Sequence, residues 1–310
     1  MTHPFRFGVQ ATNASTRSAW TEFSRRVESL GYDVLTMPDH FDEQLAPGPA
    51  LMAAAAVTDR LRIGALVWDN DYRHPVVLAK ELATMDVLSD GRLEIGLGAG
   101  WLVKDYEQAG MPYDRPGVRI ERMVEGIEVM TALFADGPVD YAGTHYRITG
   151  LEGTPKPVQR PRPPILIGGG GPKMLQVCAA HADIVGINGT MVNGVVDAAA
   201  IATMTAEAVQ DKVATLRSHA GDRFESIELN VRAFMVSVTD DAAGTIDGVA
   251  AMLGVEASMV AETPYALVGS VDKIVEDLLA RREQYGFSYV IVGAAEVDAF
   301  APVVARLAGK

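Results

Sequence analysis

Four consecutive glycines form the strongest chemical signal in the sequence. They stand between an apolar run and a proline, at Gly168, Gly169, Gly170 and Gly171. Because proline favours the first turn of a helix, we predict that this loop joins a strand to a helix N-terminus. The backbone amides of glycines can approach an anion closely because no side chain intervenes, and the dipole of the following helix attracts negative charge. The pattern therefore indicates a phosphate-binding loop with Lys173 as a nearby cation. A tight turn without a ligand is the alternative, and the loop has neither the Walker A ending nor the G-x-G-x-x-G spacing.

Asp39 and His40 are adjacent and follow the apolar run Asp33–Met37. A histidine gains and loses a proton near neutral pH, and at the end of a strand it is placed for proton transfer or for contact with a cofactor. A structural or merely exposed histidine is the alternative. The pair is therefore a candidate for acid–base chemistry.

Two further segments end apolar runs with small or aromatic residues. One comprises Gly98, Ala99 and Gly100, and the other Val67, Trp68 and Asp69. The first would leave room for a flat ring against the backbone, although close helix packing would explain the same glycines. The second could form the wall of a pocket for such a ring, whereas its tryptophan could equally belong to the core.

Several other chemistries lack the residues they need. The single cysteine, Cys178, excludes an intrachain disulfide, and the six histidines are scattered singly, so we predict no metal site. With 27 basic and 40 acidic residues the net charge is -13, which opposes binding to nucleic acid. No apolar run reaches about 18 residues and no signal-peptide pattern opens the chain, so we expect a cytoplasmic protein without a membrane span.

Eight apolar runs, alternating with helical patterns, must position these segments. They are Phe5–Gln10, Asp33–Met37, Leu61–Val67, Leu93–Leu97, Pro164–Ile167, Asp183–Ile187, Ile227–Val238 and Ser288–Val292. Most are continuously apolar, as in parallel strands that are covered on both faces. The alternation predicts a closed (β/α)₈ barrel, also called a TIM barrel, with an open doubly wound sheet as the alternative. Since active sites of such barrels lie at the carboxyl ends of the strands, the four segments would meet at one mouth.

Three insertions interrupt the alternation within what we predict to be a single domain over residues 1–310. The first, near 138–163, begins with a predicted hairpin that turns at Gly143 and continues into a proline-rich stretch. The others, near 188–204 and 239–265, follow the sixth and seventh strands. At the mouth they would form a substrate pocket or a lid, with plain surface elaboration as the alternative.

Seven motifs spread over nearly the whole chain form a specific combination. They are Tyr32–Phe41 (YDVLTMPDHF), Leu61–Leu66 (LRIGAL), Arg73–Ala83 (RHPVVLAKELA), Leu88–Trp101 (LSDGRLEIGLGAGW), Tyr113–Met123 (YDRPGVRIERM), Pro164–Val185 (PILIGGGGPKMLQVCAAHADIV) and Leu267–Val292 (LVGSVDKIVEDLLARREQYGFSYVIV). Together they resemble the bacterial luciferase-like monooxygenase superfamily, and most closely its branch of oxidoreductases that use the deazaflavin coenzyme F420. The resemblance implies a (β/α)₈ barrel that binds a flavin or deazaflavin at its mouth, with the phosphate on the amides of Gly168–Gly171.

The same resemblance implies roles for the other segments. His40 would lie near the reactive ring carbon, and a non-proline cis peptide near Val67, Trp68 and Asp69 would lie behind the ring. In the alcohol and sugar-phosphate dehydrogenases of the branch, a tryptophan shortly follows that histidine and a glutamate lies just past the fourth strand. Here Gln44 and Leu45 occupy the first place and Trp101 follows Gly100, which argues against those two substrate classes.

We therefore predict an oxidoreductase that transfers hydride between coenzyme F420 and a small organic substrate, with His40 as the catalytic proton donor or acceptor. The residues predicted to bind the cofactor are Asp39, His40, Val67, Trp68, Asp69, Gly98, Ala99, Gly100, Gly168, Gly169, Gly170 and Gly171. The alternatives are an FMN-dependent monooxygenase, which uses reduced flavin and oxygen, and a barrel that binds the cofactor without turnover. Relatives also suggest a homodimer formed through barrel helices.

Overall fold

The structure is a computed structural model that describes residues 3–191 and 193–310, so Met1, Thr2 and Val192 (the last within the predicted insertion near 188–204) lie outside the described residues. Its strands are β1 (Arg6–Gln10), β2 (Val34–Met37), β3 (Arg62–Ala65), β4 (Trp68–Asp69), β5 (Leu93–Gly98), β6 (Pro138–Ala142), β7 (Arg147–Glu152), β8 (Ile165–Gly169), β9 (Ile184–Ile187), β10 (Glu228–Arg232), β11 (Met235–Val238), β12 (Ala266–Gly269) and β13 (Phe287–Gly293). Its α-helices are α1 (Arg17–Ser29), α2 (Pro47–Ala55), α3 (Pro75–Leu88), α4 (Val103–Ala109), α5 (Pro116–Phe134), α6 (Pro172–His181), α7 (Ala198–Ala202), α8 (Ala206–Ala220), α9 (Ala242–Leu253), α10 (Ala257–Glu262), α11 (Val271–Tyr285) and α12 (Val297–Leu307).

Parallel strands close into a barrel in the order β1, β2, β3, β5, β8, β9, β10, β13 and back to β1. The β3–β5 contact, in which Ile63 pairs with Leu93, closes the circle. Helices connect the strands and cover the outside of the barrel. The predicted (β/α)₈ barrel is thus confirmed, and the open sheet is excluded.

Local sequence explains where several helices begin. The Ser270 hydroxyl accepts a hydrogen bond from the Lys273 amide at 3.2 Å and caps α11. Pro75 and Pro172 open α3 and α6, where a missing amide proton costs nothing. The helix α11 then buries Ile274, Val275 and Leu278 against the barrel, as the spacing of its hydrophobic residues predicts.

The amino end of the barrel interior is filled by paired charges. Arg6 donates to Glu94 (Nη1 to Oε1, 2.6 Å) and to Glu228 (Nη2 to Oε2, 2.6 Å). Arg62 Nε donates to the same Glu94 oxygen at 2.8 Å. Burial by itself would raise the pKa of Glu94, but the two guanidinium groups outweigh it and hold that pKa below its ordinary value. The network joins four strands of the barrel at the end away from the mouth.

Every second residue of a strand faces the interior, so the same strands reach the mouth with defined side chains. On β1, the interior face that begins with Arg6 ends with Gln10. On β10, the face that begins with Glu228 ends with Arg232, and on β5 the face of Glu94 ends with Gly98. The mouth therefore presents the polar side chains of Gln10 and Arg232, whereas Gly98 contributes no side chain.

The predicted seventh strand, Ile227–Val238, is wrong as one element. β10 ends at Arg232, and the amides of Phe234 and Met235 both turn to the Tyr265 carbonyl, at 2.9 and 3.2 Å. β11 then pairs with β12 in a separate two-stranded parallel sheet, with α9 and α10 between them. The change occurs although the barrel neighbour β13 continues to Gly293, two residues beyond Ile291, the partner of Arg232. The inserted unit therefore runs from 235 to 269, beyond the predicted 239–265.

The other two insertions follow the sequence pattern. β6 and β7 form an antiparallel hairpin whose turn contains Gly143, which donates from its amide to the Tyr146 carbonyl at 2.9 Å. The stretch near 188–204 is mostly irregular in its described residues and contains only the short α7. Among the described helices, none combines the length and the apolar character that a bilayer crossing needs.

Candidate functional site

The four predicted segments lie at or just after the carboxyl ends of β2, β3, β5 and β8 and come together at one end of the barrel. Val67, which is half-buried, lies between two of them: a Cβ added to Gly98 would be 2.5 Å from Val67 Cγ2, and one added to Gly168 would be 3.9 Å from Val67 Cγ1. The Leu66–Val67 peptide bond is cis, in the region that the resemblance implies. Val67 thus forms the floor of the mouth, between the two glycine segments.

His40 lies at the rim of the mouth with 23% of its side chain exposed. Its Nδ1 is 2.6 Å from Oδ2 of Asp105, in the first turn of α4, and the Tyr72 hydroxyl donates to the same oxygen at 3.0 Å. The ring of Trp101 meets His40 edge-on, with centroids 5.8 Å apart. Because a carboxylate only accepts hydrogen bonds, Nδ1 is the donor in this pair, and Nε2 makes no hydrogen bond among the described residues.

Asp39, by contrast, is buried in an ion pair. Its Oδ2 accepts from Arg73 Nη1 at 2.6 Å and from the Asp69 amide at 3.2 Å, and Arg73 Nη2 reaches Oδ1 at 3.3 Å. The Arg73 guanidinium lies 4.7 Å from the centre of the Trp68 ring, and the whole Trp68 residue is 1% exposed. Core packing, the alternative interpretation, accounts for Trp68, and its contact with a cofactor stays a prediction.

Asp69 is the most perturbed carboxyl group near the mouth. It accepts hydrogen bonds from the Asp71 amide at 2.9 Å and from the Tyr106 hydroxyl at 3.2 Å. Burial raises the pKa of Asp69 to about 7, the Asp71 amide opposes the rise, and the charges of Asp71 and Asp39 reinforce it. Asp69 therefore exchanges a proton near neutral pH.

The segment Gly98–Gly100 is explained by the packing of the protein itself. Gly100 has a φ of +76°, and a Cβ there would lie 1.8 Å from the Tyr106 hydroxyl oxygen. A Cβ on Gly98 would collide with Val67, and Ala99 packs against the core. Close packing, the alternative interpretation, therefore accounts for both glycines, and their contact with a cofactor stays a prediction.

The loop Gly168–Gly171 gives a different result. A Cβ on Gly169 would lie 2.8 Å from Met174 Cβ, and one on Gly170 would lie 2.1 Å from the Asn188 carbonyl oxygen, so neighbours exclude side chains there. At Gly168 and Gly171 the nearest atoms are 3.9 and 3.6 Å away, and a side chain would fit. None of the four has a positive φ. Packing within the protein therefore does not explain why Gly168 and Gly171 are glycines, and both leave space beside the loop.

The amides of this loop also lack protein acceptors. Gly171 is the N-cap of α6 and offers no side-chain cap, and in the described part of the chain no acceptor is bonded to the amides of Gly170, Gly171, Lys173 or Met174. Lys173, expected as a nearby cation, instead pairs with Glu121 at 2.8 Å. The loop can thus bind an oxyanion through its backbone, with the nearest side-chain charge already paired.

The insertion after β9 closes over one side of the mouth. The amide of Val103 donates to the Gly194 carbonyl at 3.2 Å, which joins the insertion to the loop after β5. The buried Lys212 of α8 clamps both ends, because its Nζ donates to the Asn188 carbonyl at 2.7 Å and to the Thr203 carbonyl at 2.6 Å. Burial lowers the pKa of Lys212 to about 8. The insertion is thus held as a wall of the site.

Several site residues were not identified from the sequence. Asp105 and Tyr72, which orient His40, are brought to it by the fold from distant positions of the chain. Their signal was weak: an aspartate two residues into a short helix after the fourth barrel strand, and a tyrosine in a polar loop. A tryptophan and a carboxylate do flank His40, but Trp101 and Asp105 both reach it from beyond β5 rather than from the stretch just after the histidine.

Comparison with known proteins gives the family. Residues 1–289 match the model of the family described as luciferase-like monooxygenase. An F420-dependent glucose-6-phosphate dehydrogenase from Microbacterium testaceum is 30% identical over 192 residues, which are 59% of this chain and 56% of that protein. An FMNH₂-dependent dimethylsulfone monooxygenase from Pseudomonas putida is 25% identical over 199 residues, 64% of this chain and 50% of that protein. The matches span about half the length of these curated relatives.

Solved structures give the same fold over the whole chain. The coenzyme F420-dependent tetrahydromethanopterin reductase from Methanopyrus kandleri superimposes with a TM-score of 0.78 at 18% identity. The match covers 98% of this chain and 100% of that one. At this identity the likeness supports the barrel architecture alone.

Proposed function

Because the chain belongs to the luciferase-like monooxygenase family, we propose that it is an oxidoreductase that transfers hydride between coenzyme F420 and a small organic substrate held in the barrel mouth. The observation that carries the proposal is the loop Gly168–Gly171, whose amides lack acceptors and whose outer glycines leave an open space. This arrangement fits the phosphate of a flavin or deazaflavin. The F420-dependent relative at 30% identity supports the deazaflavin.

When bound, a deazaflavin supplies hydride chemistry at a ring carbon. The residues of this chain then have three tasks. The amides of Gly170, Gly171, Lys173 and Met174 hold the phosphate, and Val67 supports the ring from below. His40 donates or accepts the accompanying proton at Nε2, while Asp105 holds the imidazole by Nδ1. The insertion after β9 limits the access of water from one side.

The experiment measures equilibrium binding of purified protein to oxidised F420 and to FMN, side by side, by fluorescence. Binding of F420 at micromolar concentration or tighter, with much weaker binding of FMN, supports the proposal. Preference for FMN would favour the monooxygenase alternative, which the FMNH₂-dependent relative also represents. Binding of F420 without turnover of any substrate would favour a non-catalytic cofactor-binding protein.

Substitutions in the loop test the cradle directly. Gly168→Ala and Gly171→Ala each add a Cβ that the protein tolerates but that fills the space for the phosphate. We expect each to weaken F420 binding by about 10-fold or more, because at least one charge-assisted hydrogen bond to the phosphate would be lost. Gly248→Ala, on α9 with no atom within 4 Å of the added Cβ, is the matched control. Unchanged affinity in both loop variants would refute the cradle.

Two further proposals concern the assembly and the location of the protein. The homodimer and the cytoplasmic location both stay predictions. Light scattering of the purified protein measures the first, because a dimer has twice the mass of the 33.1 kDa chain. Fractionation of cells that contain the protein measures the second.

A further inference from the structure

Arg232 lies at the mouth end of β10 and faces the interior of the barrel. Its Nε donates to Oε1 of Gln10 at 3.0 Å, and Gln10 Nε2 donates to the Leu66 carbonyl at 3.2 Å. These bonds hold the side chain across the mouth, beside the cis peptide at its floor. The exposed ring of Phe234 lies 5.5 Å from the guanidinium carbon and adds an apolar wall.

The charge of Arg232 has no carboxylate partner. Arg6, on the same interior surface, pairs with two glutamates, whereas no carboxylate among the described residues lies within 4.0 Å of the Arg232 nitrogens. Nη1 donates to the Ala233 carbonyl, and Nη2 makes no hydrogen bond within the described chain. A half-buried guanidinium without a counter-ion loses part of its hydration, so the arrangement favours an anion from outside the chain.

Because residue 293 is a glycine, the narrow space between Arg232 Nη2 and Glu296 holds no side chain from that position. A Cβ on Gly293 would lie 3.2 Å from Arg232 Nη2 and 2.4 Å from Glu296 Oε2. Glu296 is thus the carboxylate that faces this space. Burial lowers the pKa of Arg232, and the Glu296 charge only partly opposes that effect. Since one added carbon would already collide there, an anion reaches Nη2 from the open side of the mouth, where this nitrogen is not buried. Glu296 repels a dianion such as a phosphate monoester more strongly than a monoanion.

We propose that Arg232 binds the carboxylate of the substrate, so that the substrates of this enzyme are small organic acids with an apolar body. The proposal rests on the proposed function for the reaction, but the binding site itself does not depend on it. A guanidinium offers a planar fork of donors that matches a carboxylate. Phe234 contacts the apolar part, and Gln10 keeps the guanidinium in place.

The test compares two probes of equal shape, benzoate and neutral benzamide, titrated into the full-length protein by calorimetry with and without saturating oxidised F420. We expect the wild-type protein to bind benzoate at least about 10-fold more tightly than benzamide, as one charge-assisted bidentate contact supports. Arg232→Gln should abolish this preference, and Arg232→Lys should retain part of it. Arg217→Gln, an exposed arginine whose guanidinium carbon lies 4.0 Å from the ring of Phe224, is the matched control and should behave as wild type.

Three outcomes would overturn the proposal. The first is an equal affinity of the wild-type protein for the two probes, which needs no variant and stands even if Arg232→Gln fails to fold. The second is a preference for benzoate that persists in a folded Arg232→Gln protein. The third is a loss of F420 affinity in that variant with the benzoate preference intact, which would assign the arginine to the cofactor. Because the probes are also titrated without F420, failure of the cofactor proposal remains distinguishable from failure of this one.

Discussion

Replacing Asp69 by asparagine should change how the stability of the protein depends on pH. The carboxyl is 8% exposed, and burial raises its pKa from an ordinary 3.8 to about 7. Between these two values the folded state keeps a proton that the unfolded state has released. The free energy of unfolding therefore falls as the pH rises through this window, by up to about 1.4 kcal/mol per pH unit.

The total effect follows from the size of the shift. A rise of roughly three pKa units corresponds to about 4 kcal/mol of stability lost between pH 4 and pH 7 or above. Asparagine does not titrate and can still accept from the Asp71 amide, which lies 2.9 Å from Asp69 Oδ1. Relative to wild type, Asp69→Asn should therefore gain several kcal/mol as the pH rises from 4 to 8.

Urea denaturation at pH 4, 5, 6, 7 and 8, followed by circular dichroism, measures this difference. Asp136→Asn serves as the control, because the side chain of Asp136 is 87% exposed, and its curve should run parallel to that of wild type above pH 5. If the Asp69→Asn and wild-type stabilities also run parallel from pH 4 to 8, the carboxyl is not protonated in the folded protein and the reasoning fails.

Three further predictions concern the site and the barrel. Asp105→Asn removes the charge that orients His40, so turnover should fall by about 10- to 100-fold while F420 affinity stays within a few-fold. Steady-state kinetics measures the turnover and fluorescence titration measures the affinity. An unchanged turnover would remove the His40–Asp105 pair from the mechanism. Lys212→Met removes the hydrogen bonds to the carbonyls of Asn188 and Thr203, so limited proteolysis should cut the stretch near 188–204 faster than in wild type. Equal cutting rates would contradict the clamp. Gly96→Ala places a Cβ 2.0 Å from a backbone carbonyl oxygen of the neighbouring β3, so the variant should be strongly destabilised in thermal unfolding, and a wild-type melting temperature would show that the barrel wall can shift.

The barrel could be predicted from the sequence because its strands and helices have local signals. Continuous apolar runs mark strands buried on both faces, and Ser270 and Pro172 mark helix starts that the structure reproduces. The run Ile227–Val238 misled the prediction for a physical reason. Hydrophobic patterning reports that a segment is buried but not which strand it pairs with, and the partner changes after Arg232.

The site was only half predictable for a related reason. The glycine loop and the Asp39–His40 pair are each contiguous in sequence, so a local pattern is enough to identify them. The contact between His40 and Asp105 joins residues 65 positions apart, and no local pattern encodes such a meeting. Asp39 pairs with Arg73, 34 positions along the chain, and no local pattern encodes that contact either. Its contact with a cofactor stays a prediction.

The charge network of Arg6, Arg62, Glu94 and Glu228 has a consequence for how this protein can change over evolutionary time. It fastens the barrel from the end opposite the mouth, through bonds that no residue of the mouth takes part in. Substitutions at the rim therefore leave this charge network intact. Exchange of a side chain such as Phe234 changes which ligand is bound without removing a contact that stabilises the barrel. New substrates can be acquired at one end of the barrel while the other end preserves its architecture.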